Sequence, residues 1–155
     1  MTEDVNPTHL MYPYLPMLRA LIDTYTQIMS VGDRHIEQLG LTPAQFDVLA
    51  TLGDTPGMTC KELGENTLIT KGTLTGVLDR LENKGFIERT RGATDHRQIH
   101  VKLTEAGDQV FNATFYRQLD YLSGFFGHFP PERQAALTEH LQALKAAFLE
   151  HQVSV

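Results

Sequence analysis

The chain contains a single cysteine among its 155 residues, so it cannot form an internal disulfide. Its apolar runs all fall short of the roughly 20 residues that a membrane-spanning helix needs. The N-terminal segment is acidic and lacks the basic stretch and apolar run of a secretory signal. We therefore expect a cytoplasmic protein without membrane contact, in a compartment where thiols stay reduced.

Recognisable catalytic and metal-binding motifs are also missing. The sequence has no GxSxG, P-loop, HExxH or dinucleotide-binding pattern, which argues against an enzyme. Its seven histidines include no pair at metal-ligand spacing on one predicted helix. We predict no cofactor and no resident metal, and a metal sensor remains a minor alternative.

Positive charge is scarce but unevenly distributed. The chain has 13 Lys and Arg residues against 19 Asp and Glu residues, a net charge of −6. Residues 61–102 carry eight basic and six acidic side chains, a balance of +2, and the remaining five basic and thirteen acidic side chains give −8. Because binding to a polyanion depends on the local field, this segment is the candidate for nucleic-acid contact.

Apolar residues at alternating spacings of three and four predict an amphipathic first helix. They are Leu15, Leu18, Ile22, Tyr25 and Met29. We expect this helix to end near Gly32, with Gly40 as the second choice. Thr42 followed by Pro43 predicts the start of another helix, which extends to about Leu52.

Two further helices are predicted between residues 59 and 85. Thr59 and Glu62 have the spacing of a capping box, so a short helix extends from there to about Asn66. Thr70 caps the next helix, which ends at Lys84-Gly85. Its predicted buried face consists of Leu74, Val77, Leu78 and Leu81. The residues predicted to face outward are Lys71, Gly72, Thr75, Gly76, Asp79 and Arg80.

Two β patterns follow, at residues 86–90 and 98–103. In the second, alternation predicts Ile99, Val101 and Leu103 on the inner face. The basic, glycine-containing segment 91–97 between them has the length of a hairpin wing. This order of elements predicts a mainly α fold with a small β-hairpin wing, a winged helix-turn-helix, whose usual work is reading DNA.

Two long helices, at about 104–127 and 132–150, close the chain. The last one repeats Leu137, Leu141, Leu144 and Phe148 at coiled-coil-like spacing. We predict a single domain over 1–155, with a winged lobe at about 36–104 and helical regions at about 10–35 and 105–152. The helical regions have no partner within the chain, so we expect them to form a homodimer.

A combination of short motifs carries a family likeness. The segment TGVLDRLENKGFIER (75–89), the D-x-R of the wing and LTEAG (103–107) together resemble the MarR family of bacterial transcription regulators. The likeness covers about residues 36–110 in detail. It implies a homodimeric winged helix-turn-helix protein that binds a palindromic operator in double-stranded DNA. It also implies release from DNA by a small molecule, often a phenolic or aromatic acid, or by an oxidant, so we expect a repressor.

The resemblance also implies a set of DNA-binding residues. The start of the family's recognition helix corresponds to Thr70, Lys71, Gly72, Thr73 and Thr75, and its wing arginine to Arg97 with Asp95 beside it. Arg80 on the outer helix face and Arg91 at the wing complete the candidate set. A solvated helix face and a surface Arg97–Asp95 ion pair are the alternatives. Many family members carry an arginine where this chain has Gly76, which removes one DNA contact.

A ligand site is predicted near the first helix. Arg19 lies beside its apolar stripe, and its cation could hold a ligand carboxylate between aromatic walls. The candidate walls are Tyr12, Tyr25, Phe46 and Phe111. The alternative is that the Arg19 stem covers apolar surface while its head stays in water.

Cys60 raises the alternative of a thiol sensor, because a place in the first turn of a helix could lower its pKa. A buried, inert cysteine is the other interpretation. A different class of function also stays open, namely a small-molecule-binding or interaction module with weak DNA binding. Gly76 and the acidic net charge motivate that alternative.

Overall fold

The computed structural model describes residues 11–92 and 97–152, and within them six helices and a three-stranded sheet. The helices are α1 (Leu15–Gln38), α2 (Pro43–Leu52), α3 (Cys60–Asn66), α4 (Lys71–Asn83), α5 (Glu105–Phe126) and α6 (Pro131–Gln152). The strands are β1 (Met58–Thr59), β2 (Ile87–Arg91) and β3 (Ile99–Leu103). The predicted mainly α fold with a small β wing is confirmed.

Helix α1 extends beyond Gly32, the end that the sequence pattern favoured. It continues through Gly32 and ends at Gln38, and the chain reverses at Gly40, where φ is +84°. The expected end at Gly32 was therefore wrong, and the second choice was right. Gly32 is buried inside the helix, and a Cβ added there would lie 3.2 Å from the Gln118 side-chain nitrogen. This glycine serves the close approach of α5 rather than a helix end.

Helices α2 and α3 begin as the sequence predicts. Thr42 accepts a hydrogen bond from the Gln45 amide and the Gln45 side chain accepts one from the Thr42 amide. Thr59 and Glu62 form the same reciprocal pair at α3. The bonds that Thr59 donates also hold the pKa of the Glu62 carboxyl below its usual range. Each pair satisfies amides that have no partner within the helix.

The sheet contains one strand more than the sequence predicts. Strand β3 lies in the centre, with β1 and β2 antiparallel on its two sides. The missed strand β1 has only two residues, and Met58 pairs with Val101. Val101 is fully buried, but Ile99 is 42% exposed, so the expectation that Ile99 faces inward was wrong. Ile99 pairs with Arg91 at the wing end of the sheet.

The core of the winged lobe combines α2, α3, α4 and the sheet with the end of α1. Its buried apolar residues are Ile36, Leu41, Val48, Leu49, Leu52, Leu63, Leu74, Val77, Leu78, Leu81, Ile87 and Val101. The LTEAG segment joins this lobe to α5. The Thr104 hydroxyl accepts a hydrogen bond from the Gly107 amide at 3.1 Å. A Cβ at Gly107 would overlap the Phe86 carbonyl oxygen, so only glycine fits there.

The chain divides into two compact units, the first ending at Gln118 and the second beginning at Leu119. In the second unit the end of α5 and helix α6 are joined by a turn, whose carbonyls at Phe126 and Phe129 accept hydrogen bonds from Gln134. Within residues 11–92 and 97–152, no helix is both long and apolar enough to cross a lipid bilayer.

Candidate nucleic-acid interface

Helix α4 presents an open N-terminus to solvent. Thr70 occupies the N-cap position in an extended conformation, but its side chain makes no capping hydrogen bond. Its hydroxyl instead pairs with the Thr73 hydroxyl at 3.0 Å. Amides in the first turn of a helix favour an anion such as phosphate. The N-terminus of α4 therefore has the chemistry of a DNA-backbone contact.

The two faces of α4 separate as predicted. Leu74, Val77, Leu78 and Leu81 are buried, which confirms the inner face. The candidates on the outer face are all exposed, namely Thr70, Lys71, Gly72, Thr73, Thr75 and Arg80. A Cβ added at Gly72 or Gly76 would meet no atom within 4 Å. The outer face is thus polar and has no side chain at Gly72 or Gly76, so another molecule could approach the helix backbone closely at these positions.

The turn between α3 and α4 is held from three directions. The Thr67 amide and hydroxyl both donate to the Leu63 carbonyl, at 3.0 and 2.9 Å. The Leu68 amide donates to the Asp47 carboxylate at 2.7 Å, which connects the turn to α2. Ile69 packs against the core. These contacts position the start of α4 relative to the rest of the lobe.

Arg89 links strand β2 to α4, and sequence reasoning missed it. Its guanidinium lies 2.7 Å from the Asp79 carboxylate and also binds Glu82, with a distance of 3.0 Å from Nε. Arg89 holds the pKa of the Glu82 carboxyl below its usual range, and the two carboxylates raise the pKa of Arg89. The sequence shows only that Asp79 and Glu82 lie on a predicted helix and Arg89 on a predicted strand. The ion pairs between them depend on how the helix and the strand pack.

The described part of the wing is exposed. Arg91 ends β2 opposite Ile99, and the Gly92 amide donates to the Gln98 carbonyl at 2.9 Å, which closes the base of the loop. Arg97 is exposed and has an interaction partner. Asp95 lies outside the described residues. The structure thus places Arg91 and Arg97 at the base of one exposed hairpin.

The candidate ligand residues fall into two groups. Phe46 and Phe111 both stack on Phe115, at centroid distances of 6.4 and 5.0 Å. Phe111 is buried, and its ring covers Gly53 so closely that a Cβ at Gly53 would overlap it. Much of Phe111 therefore serves the core. Phe46 is partly buried.

The other three candidates lie on the N-terminal arm and α1. Arg19 is exposed, as are Tyr25 and Tyr12, whose ring contacts Tyr14 at 6.0 Å. The described ring contacts do not join these residues to the cluster around Phe115. A ligand site that uses all five candidates stays a prediction.

Cys60 does not have the activated environment that its helix position suggested. Its side chain is partly buried against the core. Burial raises the pKa of the Cys60 thiol, and the positive charge of Arg89 offsets only part of that effect. Because the thiolate is the reactive form, this environment favours the buried, inert interpretation of Cys60 over the thiol-sensor alternative. Among the described residues, no three His, Cys, Asp or Glu side chains form a group that could hold a metal ion.

Comparison with known proteins places this geometry in context. The sequence model of the MarR family matches residues 41–99. The chain is 33% identical over 104 residues to the HTH-type transcriptional regulator MhqR of Bacillus subtilis. That alignment covers 65% of this chain and 70% of MhqR. It is 36% identical over 78 residues to the regulator SarZ of Staphylococcus epidermidis, 50% of this chain. The match spans only about half of SarZ, 53% of its length.

Solved structures agree with the sequence matches. A mutant MarR from E. coli, solved in complex with operator DNA, is similar with a TM-score of 0.74 at 26% identity, over 87% of this chain and 97% of that one. BpsR of Bordetella bronchiseptica, whose DNA binding is regulated by 6-hydroxynicotinic acid, shares the fold with a TM-score of 0.74 at 23% identity. That alignment covers 84% of this chain and 98% of BpsR.

Proposed function

The chain belongs to the MarR family of transcription regulators, which are not enzymes, and we propose that it acts as a homodimeric repressor on a palindromic DNA operator. The observation that carries this proposal is the exposed polar face of α4 beside an exposed wing that holds Arg91 and Arg97. In winged and helix-turn-helix proteins such a helix enters the major groove. A protein that works on chromosomal operators works in the cytoplasm.

The proposed dimer is supported by apolar surface on the terminal helices. A single copy leaves large side chains in water on α1, including Met17, Leu18, Leu21, Ile22, Tyr25 and Ile28. Others lie on α5 and α6, namely Leu119, Phe125, Phe126, Leu137, Leu141, Phe148 and Leu149. Exposed apolar surface of this extent is typical of an interaction site. A second copy would bury it and present two recognition helices to two half-sites.

The DNA contacts can be tested by salt dependence. Replacement of Lys71 by alanine should weaken binding to all sequences alike and reduce the slope of log K against log salt by about 0.9, the value for one phosphate contact. Arg97→Ala should weaken binding most at A·T-rich flanks, where a narrow minor groove attracts arginine. Fluorescence anisotropy on a selected duplex measures both effects.

Lys102→Ala, in β3, is the control because it removes one exposed positive charge outside α4, the loop 91–97 and the terminal helices. Its salt slope should equal that of the parent. If neither Lys71→Ala nor Arg97→Ala differs from the parent at any salt concentration, α4 and the wing do not form the DNA surface.

We also propose that an aromatic acid relieves repression. Arg19 supplies an exposed cation on a helix rich in apolar side chains, with Tyr25 on the same helix and Tyr12 just before it. Phe46 and Phe111, in the ring cluster around Phe115, are the other candidate walls. Such a ligand must bind the released form more tightly than the DNA-bound form, since equal affinity shifts no population. The regulation of BpsR by 6-hydroxynicotinic acid is a precedent within the fold.

The ligand proposal predicts that millimolar salicylate or benzoate weakens DNA binding. Arg19→Ala should blunt this response and leave ligand-free affinity within a few fold of the parent. Arg34→Ala removes another exposed arginine of the same helix and should keep the full response. A titration of the protein–DNA complex with each acid measures the effect. An Arg19→Ala protein that responds like the parent would show that Arg19 does not hold the carboxylate.

A second function is favoured by one observation, the absence of a side chain at Gly76 on the outer face of α4. In this alternative the chain is an interaction or small-molecule-binding module with weak DNA binding. Selection from a random DNA library distinguishes the two. Recovery of a palindromic consensus supports the repressor, whereas binding without any consensus supports the alternative.

A further inference from the structure

Leu68 is the most exposed large apolar side chain of the winged lobe. It is 71% exposed and lies in the turn between α3 and α4. Apolar surface in water is unfavourable, and the cost falls when another molecule covers it. By contrast, the side chain of the neighbouring Ile69 packs against the core and is partly buried.

The exposure of Leu68 is not the result of an unattached loop. Its own amide donates to the Asp47 carboxylate at 2.7 Å, and Thr67 is bound to the Leu63 carbonyl through two hydrogen bonds. Hydrogen bonds therefore hold the backbone at Leu68 and at the residue before it, while the Leu68 side chain stays exposed. An exposed side chain on a fixed backbone is preorganised for binding, because less conformational entropy is lost when a partner covers it.

Leu68 lies next to the proposed DNA surface. It precedes the N-cap residue Thr70 by two residues, so the two Cα atoms are at most about 7 Å apart. The exposed side chains that follow, Lys71 and Thr73, belong to the proposed DNA surface. In the major groove the apolar group on the base edges is the 5-methyl group of thymine. The exposed Leu68 side chain, next to the start of α4, could make an apolar contact with that methyl group.

We propose that Leu68 is a specificity-determining residue that packs on the 5-methyl group of a thymine in the operator. Asp47 is its positioning residue, because it holds the Leu68 amide. This inference rests on the proposed DNA binding, and it adds one base preference to it. Polar reading of base edges by the threonines of α4 does not depend on it.

The test compares thymine with uracil, which differ only by that methyl group. A tight-binding duplex is first selected from a random library with the full chain, and is then prepared with thymidine or with deoxyuridine throughout. The parent should bind the deoxyuridine duplex more weakly. Leu68→Ala should lose roughly four-fold in affinity on the thymidine duplex, the factor that corresponds to burial of one methylene-sized group. It should lose much less on the deoxyuridine duplex.

The difference between these two losses measures the coupling of Leu68 to thymine methyls, and contacts of the threonines cancel in it. Leu68→Met keeps an apolar side chain and should retain most of the coupling. Asp47→Asn keeps an acceptor oxygen and should also retain it, whereas Asp47→Ala should reduce it although Leu68 is unchanged. Thermal melting followed by circular dichroism verifies that each variant folds.

Two outcomes would overturn the inference and leave DNA binding intact. An equal loss for Leu68→Ala on both duplexes would assign Leu68 to the sugar–phosphate backbone, and an unchanged affinity would remove it from the interface. If the parent selects and binds no duplex at all, the proposed function fails and this inference fails with it.

Discussion

At the scale of single residues, glycines have two structural functions in this chain, and Gly76 has neither of them. Gly53 and Gly107 are required because a Cβ would overlap the Phe111 ring or the Phe86 carbonyl. Gly40 and Gly85 end helices in the left-handed region, at φ values of +84° and +74°. Gly76 has neither reason, since it lies inside α4 with open space around its missing Cβ. Gly76, like Gly72, is therefore a position of α4 where a side chain can be added.

We predict that Gly76→Arg raises both stability and DNA affinity. A glycine in a helix interior costs about 1 kcal/mol relative to alanine, so the melting temperature should rise. The new cation lies on the outer face, and the salt slope should steepen by about 0.9 if it reaches a phosphate. Thermal melting and salt-titrated anisotropy measure the two effects.

Gly76→Ala is the matched control. It should bring the gain in stability without any change in the salt slope. An unchanged slope in Gly76→Arg would mean that this position of α4 does not approach the DNA backbone.

At the scale of elements, Arg89 connects the recognition helix with the wing strand. It contacts carboxylates on adjacent turns of α4, and its side chain is 24% exposed, less than either partner. The hairpin strand β2 is thereby tied to the helix that it flanks. Arg89 also neutralises negative charge on α4, which would otherwise repel phosphate.

Arg89→Ala should therefore weaken DNA binding at least several-fold and destabilise the lobe by about 1 kcal/mol, the upper range for partly exposed ion pairs. Arg89→Lys keeps the charge but cannot bind two carboxylates with a planar fork, so its effect should lie between alanine and the parent. Lys102→Ala removes the Lys102–Glu88 pair, which lies within the sheet and does not involve α4. That control should bind like the parent, and a similar loss in both alanine variants would contradict a specific role for Arg89.

At the scale of the whole molecule, the winged lobe and the terminal helices differ in how much apolar surface they bury. The winged lobe has a continuous core, whereas α6 leaves Leu141 and Phe148 41% and 65% exposed. Leu144 of the same predicted seam is partly buried within the second unit. The exposed members are the ones that a second copy would cover.

We predict that Leu141→Asp combined with Phe148→Asp gives a folded monomer that no longer binds the operator. Both side chains are exposed in one copy, so their replacement should spare the fold, while two buried charges would be very unfavourable in a dimer. Light scattering measures the mass, and anisotropy measures DNA binding. Gln142→Asp adds a charge on the same helix outside the seam and should remain dimeric. A double variant that stays dimeric would show that α6 contributes no essential contact.

Local sequence patterns determined most of the elements of this protein. Capping boxes at Thr42 and Thr59, the glycine at 85 and the spacing of Leu74, Val77, Leu78 and Leu81 act within a few residues, so helix bounds and the buried face of α4 could be predicted. The motif combination around residues 75–107 likewise indicated the family that the comparisons show.

Contacts between distant segments were decided only by the tertiary structure. Strand β1 has two residues and is defined by its pairing with β3, and the Gly32 carbonyl inside α1 accepts a hydrogen bond from Gln118. Burial rather than helix position determines the direction of the Cys60 pKa shift. Arg89 meets Asp79 and Glu82 across ten and seven residues, and Asp47 reaches the Leu68 amide across twenty-one. No local pattern encodes such pairs, because segments this far apart in the sequence come within bonding distance only in the folded chain.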